Sequence, residues 1–166
     1  MSNNMIDIKR ARQSLKPLQA LKLATAANML KQTVGIFTEL TNNPSKSSLL
    51  PLWAAGVISH GQPKSGFFRI GITEAAQKDP TKKRTDDHLF RVTATAEYIL
   101  SNASAWTLEK IEDVLLERSL LMVTTREENN STLKRALALC DNKDDWRELY
   151  QKAGVTFQLY HQFKEA

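Results

Sequence analysis

From Met5 to Leu40 apolar residues recur every three or four positions, through Ile6, Leu15, Leu18, Leu21, Ala24, Met29, Leu30, Val34, Phe37 and Leu40. That period belongs to a helix with one buried face, not to a strand. Proline fits a helix only in its first turn, so Pro17 divides the stretch into a short helix and a longer one. Lys9, Arg10, Arg12, Lys16, Lys22 and Lys31 make the region basic. Two readings fit: a solvated face over which lysine stems lie, or a surface for phosphate contact or for packing a second copy. Residues 1–41 are therefore expected to form a basic helical arm, with the remainder, 42–166, as the main domain.

A chain of 166 residues, 42% apolar and with three tryptophans, is long enough for one domain with a real core. Its 23 Lys and Arg outnumber its 18 Asp and Glu, giving a net charge of +5, and a basic protein of this size favours nucleic acid over membrane as a partner. The one cysteine, Cys140, excludes a disulfide framework or a cysteine-built zinc site within one chain. It lies in an apolar run and reads as simply buried, which fits a reducing, cytoplasmic setting, bacterial or that of a phage-infected host. Met1 to Asp7 lacks the apolar core of a signal peptide, and no stretch is apolar for long enough to span a bilayer.

Beyond the arm, Asn42 to Ser48 reads as a loop and Leu49 to Ile58 as a compact apolar segment. Ser59 to Gly66 is rich in turn residues, and Phe67 to Ile72 reads as a strand. Gln77 to Arg84 is a polar, basic connector. Asp87 to Ser101 has helical spacing, with Asp86 or Asp87 as a candidate N-cap. Thr107 is placed to cap the next helix. Ser119 to Thr124 is β-prone, Glu127 to Leu139 is helical, and a helix from Asp144 to Ala153 ends at Gly154. Val155 to Phe163 is a short apolar tail. The sum is a mainly helical α+β fold with a small strand element. Trp53, Trp106 and Trp146 read as core or interface anchors, and His161 as a surface residue.

Two stretches could carry chemistry, Arg84-Thr85-Asp86-Asp87-His88-Leu89-Phe90 and Thr124-Thr125-Arg126-Glu127-Glu128-Asn129-Asn130. Hydrolysing a phosphodiester requires a group that activates water, a metal held against the phosphate, and cations that neutralise developing charge. A neutral imidazole can take a proton from water near neutral pH. Hard divalent ions such as Mg or Mn prefer oxygen donors, and one or two protein ligands suffice when water and phosphate complete the shell. Asp87 and Asn129 supply those oxygens and His88 the base. Lys82, Lys83, Arg84 and Arg91 are placed to bind flanking phosphates, and Arg126 or Arg91 to stabilise the phosphate as it reacts.

These residues resemble the HNH endonucleases, whose fold is a small ββα-metal finger, and in particular small phage-encoded nucleases of the homing or restriction type. The family pairs an Asp-His near its first strand with a final His or Asn on a helix, in an element reading Val-Thr-x-x-Glu-Asn. Val123 to Asn129 is similar to that element. The resemblance covers about Thr85 to Leu133. It implies a ββα-metal-like element within 42–166, catalytic His88 and Arg126, metal ligands Asp87 and Asn129, DNA as substrate, and a homodimer that cuts both strands. The chain departs from the pattern in the long, helical sequence between His88 and Asn129. It also lacks a clear middle Asn; Asn102 falls in the gap but fits a helix end better.

The rival reading is a non-catalytic, basic helical nucleic-acid-binding or regulatory protein, in which Asp87 is a cap and His88 a packed ring; a protein-interaction module is a third. His60 is a second candidate base, or a loop residue with a structural hydrogen bond.

Overall fold

A computed structural model describes residues 6–40, 49–142 and 144–163, and the side chains of all of these except 35–40 and 162. The expected loop Asn42 to Ser48 lies outside the described residues. The protein is a mainly helical α+β fold with one small mixed sheet. Among the described residues no helix is long and apolar enough to cross a membrane.

The chain forms two compact units that alternate along it. One holds residues 6–64 and 91–119, and its described elements are all helices. It comprises α1 (Ile8–Gln13), α2 (Pro17–Leu40), α3 (Leu49–Gly61), α5 (Val92–Asn102) and α6 (Leu108–Glu117). The division at Pro17 holds: Asp7 caps α1, accepting from Arg10 N–H, and α2 opens on the proline. Thr107 caps α6 as expected, accepting from Lys110 N–H at 3.1 Å. The core of this unit is built from Leu23, Leu30, Ile58, Ile99, Ile111 and Leu115. Gly61 permits the approach of α3 to α2, since a Cβ there would sit 2.3 Å from Ala26 Cβ.

The helices of the expected arm pack within this unit, and part of their charge is used there. Arg12 pairs with Glu112 and Asp113 on α6. Lys31 Nζ donates to the carbonyls of Ala103, Ser104 and Trp106 at 2.7, 3.0 and 2.7 Å, satisfying acceptors in the turn that follows α5.

The second unit holds Ser65–Phe90 and the chain from Leu120 onward. A 3₁₀ turn (Gly66–Phe68) leads into β1 (Arg69–Thr73), followed by α4 (Glu74–Lys78) and β2 (Arg84–His88). After the excursion through α5 and α6 the chain returns as β3 (Leu121–Thr125). Residues 126–139 are helical throughout: a π-helical stretch over Glu128–Leu133, then α7 (Lys134–Ala136), then a 3₁₀ turn. Next come α8 (Trp146–Ala153), β4 (Phe157–Leu159) and a last 3₁₀ turn. Gly154 ends α8 with φ +66°, a backbone conformation that side chains resist. The strand order is β2-β3-β1-β4, with β2 and β4 antiparallel to their neighbours and β1 parallel to β3.

The helix expected from Asp87 to Ser101 begins only at Val92, and Arg84–His88 is a strand. Aspartates disfavour strands, so β2 owes its existence to its neighbour: every residue from Arg84 to His88 pairs with β3, from Arg84↔Thr125 to His88↔Leu121. The aspartates are not caps. Asp86 takes a two-pronged ion pair from Arg69, at 2.9 and 2.9 Å, and Asp87 turns to α8.

Candidate functional site

β2, β3 and the helical run 126–139 follow one another within one unit, and this accounts for the long separation between His88 and Asn129. α5 and α6 fill the gap in the chain, while strand pairing sets β2 beside β3, with Arg84 opposite Thr125 and His88 opposite Leu121. Asn102, inside that gap, donates from Nδ2 to Tyr98 O at 2.8 Å, as a residue at a helix end does.

Alternation along β2 sends Arg84, Asp86 and His88 to one face of the sheet, Thr85 and Asp87 to the other. The first face carries a groove of about 350 Å³ lined by Arg69, Arg84, Asp86, Val123 and Tyr160 among others. On the second face the Tyr150 hydroxyl donates to Asp87 Oδ2 at 2.8 Å. Tyr150 is fully buried and locked between aromatic rings, edge-on to Trp146 and to Phe157 with centroids 6.1 and 5.5 Å away. Burial pushes the Asp87 carboxyl up to about 6, against the pull of the Tyr150 hydrogen bond. The phenol is itself driven upward by burial and then by the charges of Asp87 and Glu128. Tyr150 therefore stands where β2 and the start of the helical run converge.

That start is a capping box that the sequence carries as Thr125-x-x-Glu128. Glu128 N–H donates to Thr125 Oγ1 at 3.1 Å, and Thr125 N–H donates to Glu128 Oε2 at 2.8 Å. The same Oε2 accepts the Thr73 hydroxyl of β1 at 2.8 Å. Glu128 thus fixes the helix start to two strands, and half-buried Asn129 follows it directly, inside the π-helical stretch. Widened turns of this kind are frequent at functional sites.

Lys82, Lys83, Arg84 and Arg126 are all exposed and gather at one end of the β2–β3 pair, where Arg126 N–H donates to Lys83 O at 2.8 Å. His88 lies at the other end of β2, roughly 13 Å along the strand from Arg84. Arg126 thus falls with the residues expected to contact phosphate rather than beside His88. Arg91 belongs to the helical unit, at the N-cap of α5, and His60 is exposed in the last turn of α3 rather than in a loop.

Among the described residues no group of three or more His, Cys, Asp and Glu is placed to hold a metal. A site of one carboxylate and one amide oxygen is of a different kind. Asp87 fits a cation: its burial disfavours the bare charge, and one phenol offsets only part of that. Sequence reasoning did not find Tyr150, Thr73 or Arg69. The Thr-x-x-Glu spacing was there to be read for Glu128, whereas a lone tyrosine far along the chain carries no local signal. No protein-family model, curated protein or solved structure matches this chain.

Proposed function

We propose that the sheet unit is a metal-dependent endonuclease of the HNH type, hydrolysing DNA phosphodiesters. The observation that supports this reading best is the convergence at Tyr150 of Asp87 and Glu128, the residue before Asn129, through a strand–strand–helix order in one unit. Asp87 and Asn129 would hold one Mg or Mn ion. Such an ion, when bound, neutralises charge on the phosphate and the leaving oxygen.

The protein's own groups supply the rest. On this reading His88 removes a proton from water, the water oxygen bonds to phosphorus, and the bond from phosphorus to the leaving sugar oxygen breaks. That oxygen leaves with a proton from solvent. His88 stands on the face of β2 opposite Asp87, so it is the assignment in this reading that the strand geometry does not favour. Lys82, Lys83, Arg84 and Arg126 bind the flanking phosphates at the far end of β2. The test is duplex DNA incubated with Mg or with chelator, for the wild type and for His88→Ala. Metal-dependent cutting that His88→Ala loses while still binding DNA is the expected result. Full activity in that variant removes the base.

The second reading, a non-catalytic nucleic-acid binder, draws on the same cluster of four exposed cations. It predicts salt-sensitive binding with no cutting in any metal.

A further inference from the structure

In the helical unit, α2 and α3 each carry two apolar stripes, and only one of each is buried. Leu23, Ala26, Ala27 and Leu30 of α2 and Leu50, Ala54 and Ile58 of α3 face inward. On the outer side Leu18, Leu21, Leu49 and Leu52 are 62–64% exposed, and Met29 and Trp53 are 40 and 39% exposed. Between the two outer stripes runs an apolar groove of about 590 Å³, floored in part by Gly56. A helix apolar on all sides is normally covered on all sides. α3 fits that description, with no acidic or basic residue from Leu49 to Ser59.

We infer that this α2–α3 face is the surface on which a second copy of the chain docks, across a two-fold axis. The area carries the choice of occupant. The six side chains together expose roughly 600 Å² of apolar surface, at or above the largest patch of an ordinary monomer and most of the ~800 Å² that each partner contributes to a standard interface. A pair of helices offering two ridges and a groove is also self-complementary: two such pairs, antiparallel across a two-fold, make a four-helix layer. The charged groups on the rim, Lys22 and His60, both sit beside Gly61 at one end of the groove, so the two-fold keeps the copies' cations apart. The inference does not depend on the nuclease reading.

Gly56 supplies the test. A Cβ built there meets nothing within 4 Å, so Gly56→Glu starts a charged side chain from open space in the groove, and glutamate is the better helix former. Sedimentation velocity on the full chain should give twice the chain mass for the wild type, unchanged in high salt because the contact is apolar. Gly56→Glu should give the single-chain mass, with the circular dichroism spectrum retained. Leu52→Glu should do the same, which guards against one variant failing to fold. A wild type that stays monomeric up to the highest soluble concentration overturns the inference, even if an apolar dye or peptide binds the groove. A dimer that survives both folded variants also overturns it, since it would use another face.

Discussion

The Tyr150 hydroxyl, fully buried, donates to an Asp87 carboxylate that the fold also removes from water. One is on α8 and the other on β2, so this bond fastens the edge strand of the sheet to a helix that pairs with no strand. Burial penalises the Asp87 charge, and the Tyr150 bond offsets only part of that strain.

The strain sets a pH dependence. Asp87 titrates at about 6 in the folded protein, against 3.8 for an ordinary aspartate. The fold therefore holds the proton more tightly than the unfolded chain does. The resulting stability is fully present below about pH 4 and is lost as pH rises through about 6, so the ionised form costs about 3 kcal/mol at neutral pH. In chelator, Asp87→Asn should raise the urea midpoint at about pH 7 and leave it nearly unchanged at about pH 4. The same substitution should remove metal-dependent cutting. An asparagine variant no more stable than wild type at neutral pH would show that the carboxylate bears no such cost.

Removing the partner should act in the opposite direction. Tyr150→Phe keeps the ring stacked against Trp146 and Phe157 and deletes only the donor. A buried acceptor left without its donor costs about 1–3 kcal/mol. Urea denaturation at neutral pH should show that loss, and combining Tyr150→Phe with Asp87→Asn should recover much of it. A fully additive double variant would mean the two residues do not act together.

Glu128 should matter beyond its own helix. Its Oε2 gathers the Thr73 hydroxyl and both the N–H and hydroxyl of Thr125. Glu128→Ala should cost about 1–3 kcal/mol, more than the ~1 kcal/mol of a simple cap, because two strands lose an acceptor as well. Hydrogen exchange should quicken at residues 126–129 first. On the nuclease reading, cutting should fall further than stability, since Asn129 loses its anchor.

Helices were the legible part of this fold, because a period of three and four survives without knowledge of neighbours. Pro17, Thr107 and Gly154 marked their boundaries for local steric and hydrogen-bonding reasons that the sequence carries in full. β2 was not legible. Arg-Thr-Asp-Asp-His has no strand propensity of its own, and its pairing partner lies beyond two intervening helices. The same distance hid Tyr150: nothing near it in the chain indicates that its hydroxyl meets Asp87. The Asp87-His88 and Thr125-x-x-Glu128-Asn129 motifs were visible as motifs, but only the antiparallel register shows that β2 lies beside β3 with Arg84 at Thr125 and His88 at the opposite end, beside Leu121.

Basic residues that look alike in the sequence should separate in solution. In sequence Lys31 is one of the cations of the basic arm, for which a solvated face and a phosphate contact are both open readings, yet its ammonium is held by three carbonyls, those of Ala103, Ser104 and Trp106. Lys83 and Arg84 are exposed beside Arg126, with no acidic residue between positions 80 and 85. Lys31→Met should therefore lower stability by about 1–3 kcal/mol and leave the salt dependence of DNA binding unchanged. Lys83→Gln should leave stability within about 0.5 kcal/mol and flatten the slope of log affinity against log salt by about 0.9, the signature of one lost phosphate contact. Fluorescence anisotropy over a salt series, run beside thermal melts of both variants, reads the two effects separately. If Lys31→Met flattens the salt slope and Lys83→Gln does not, the phosphate-binding surface lies on α2 rather than at the end of β2.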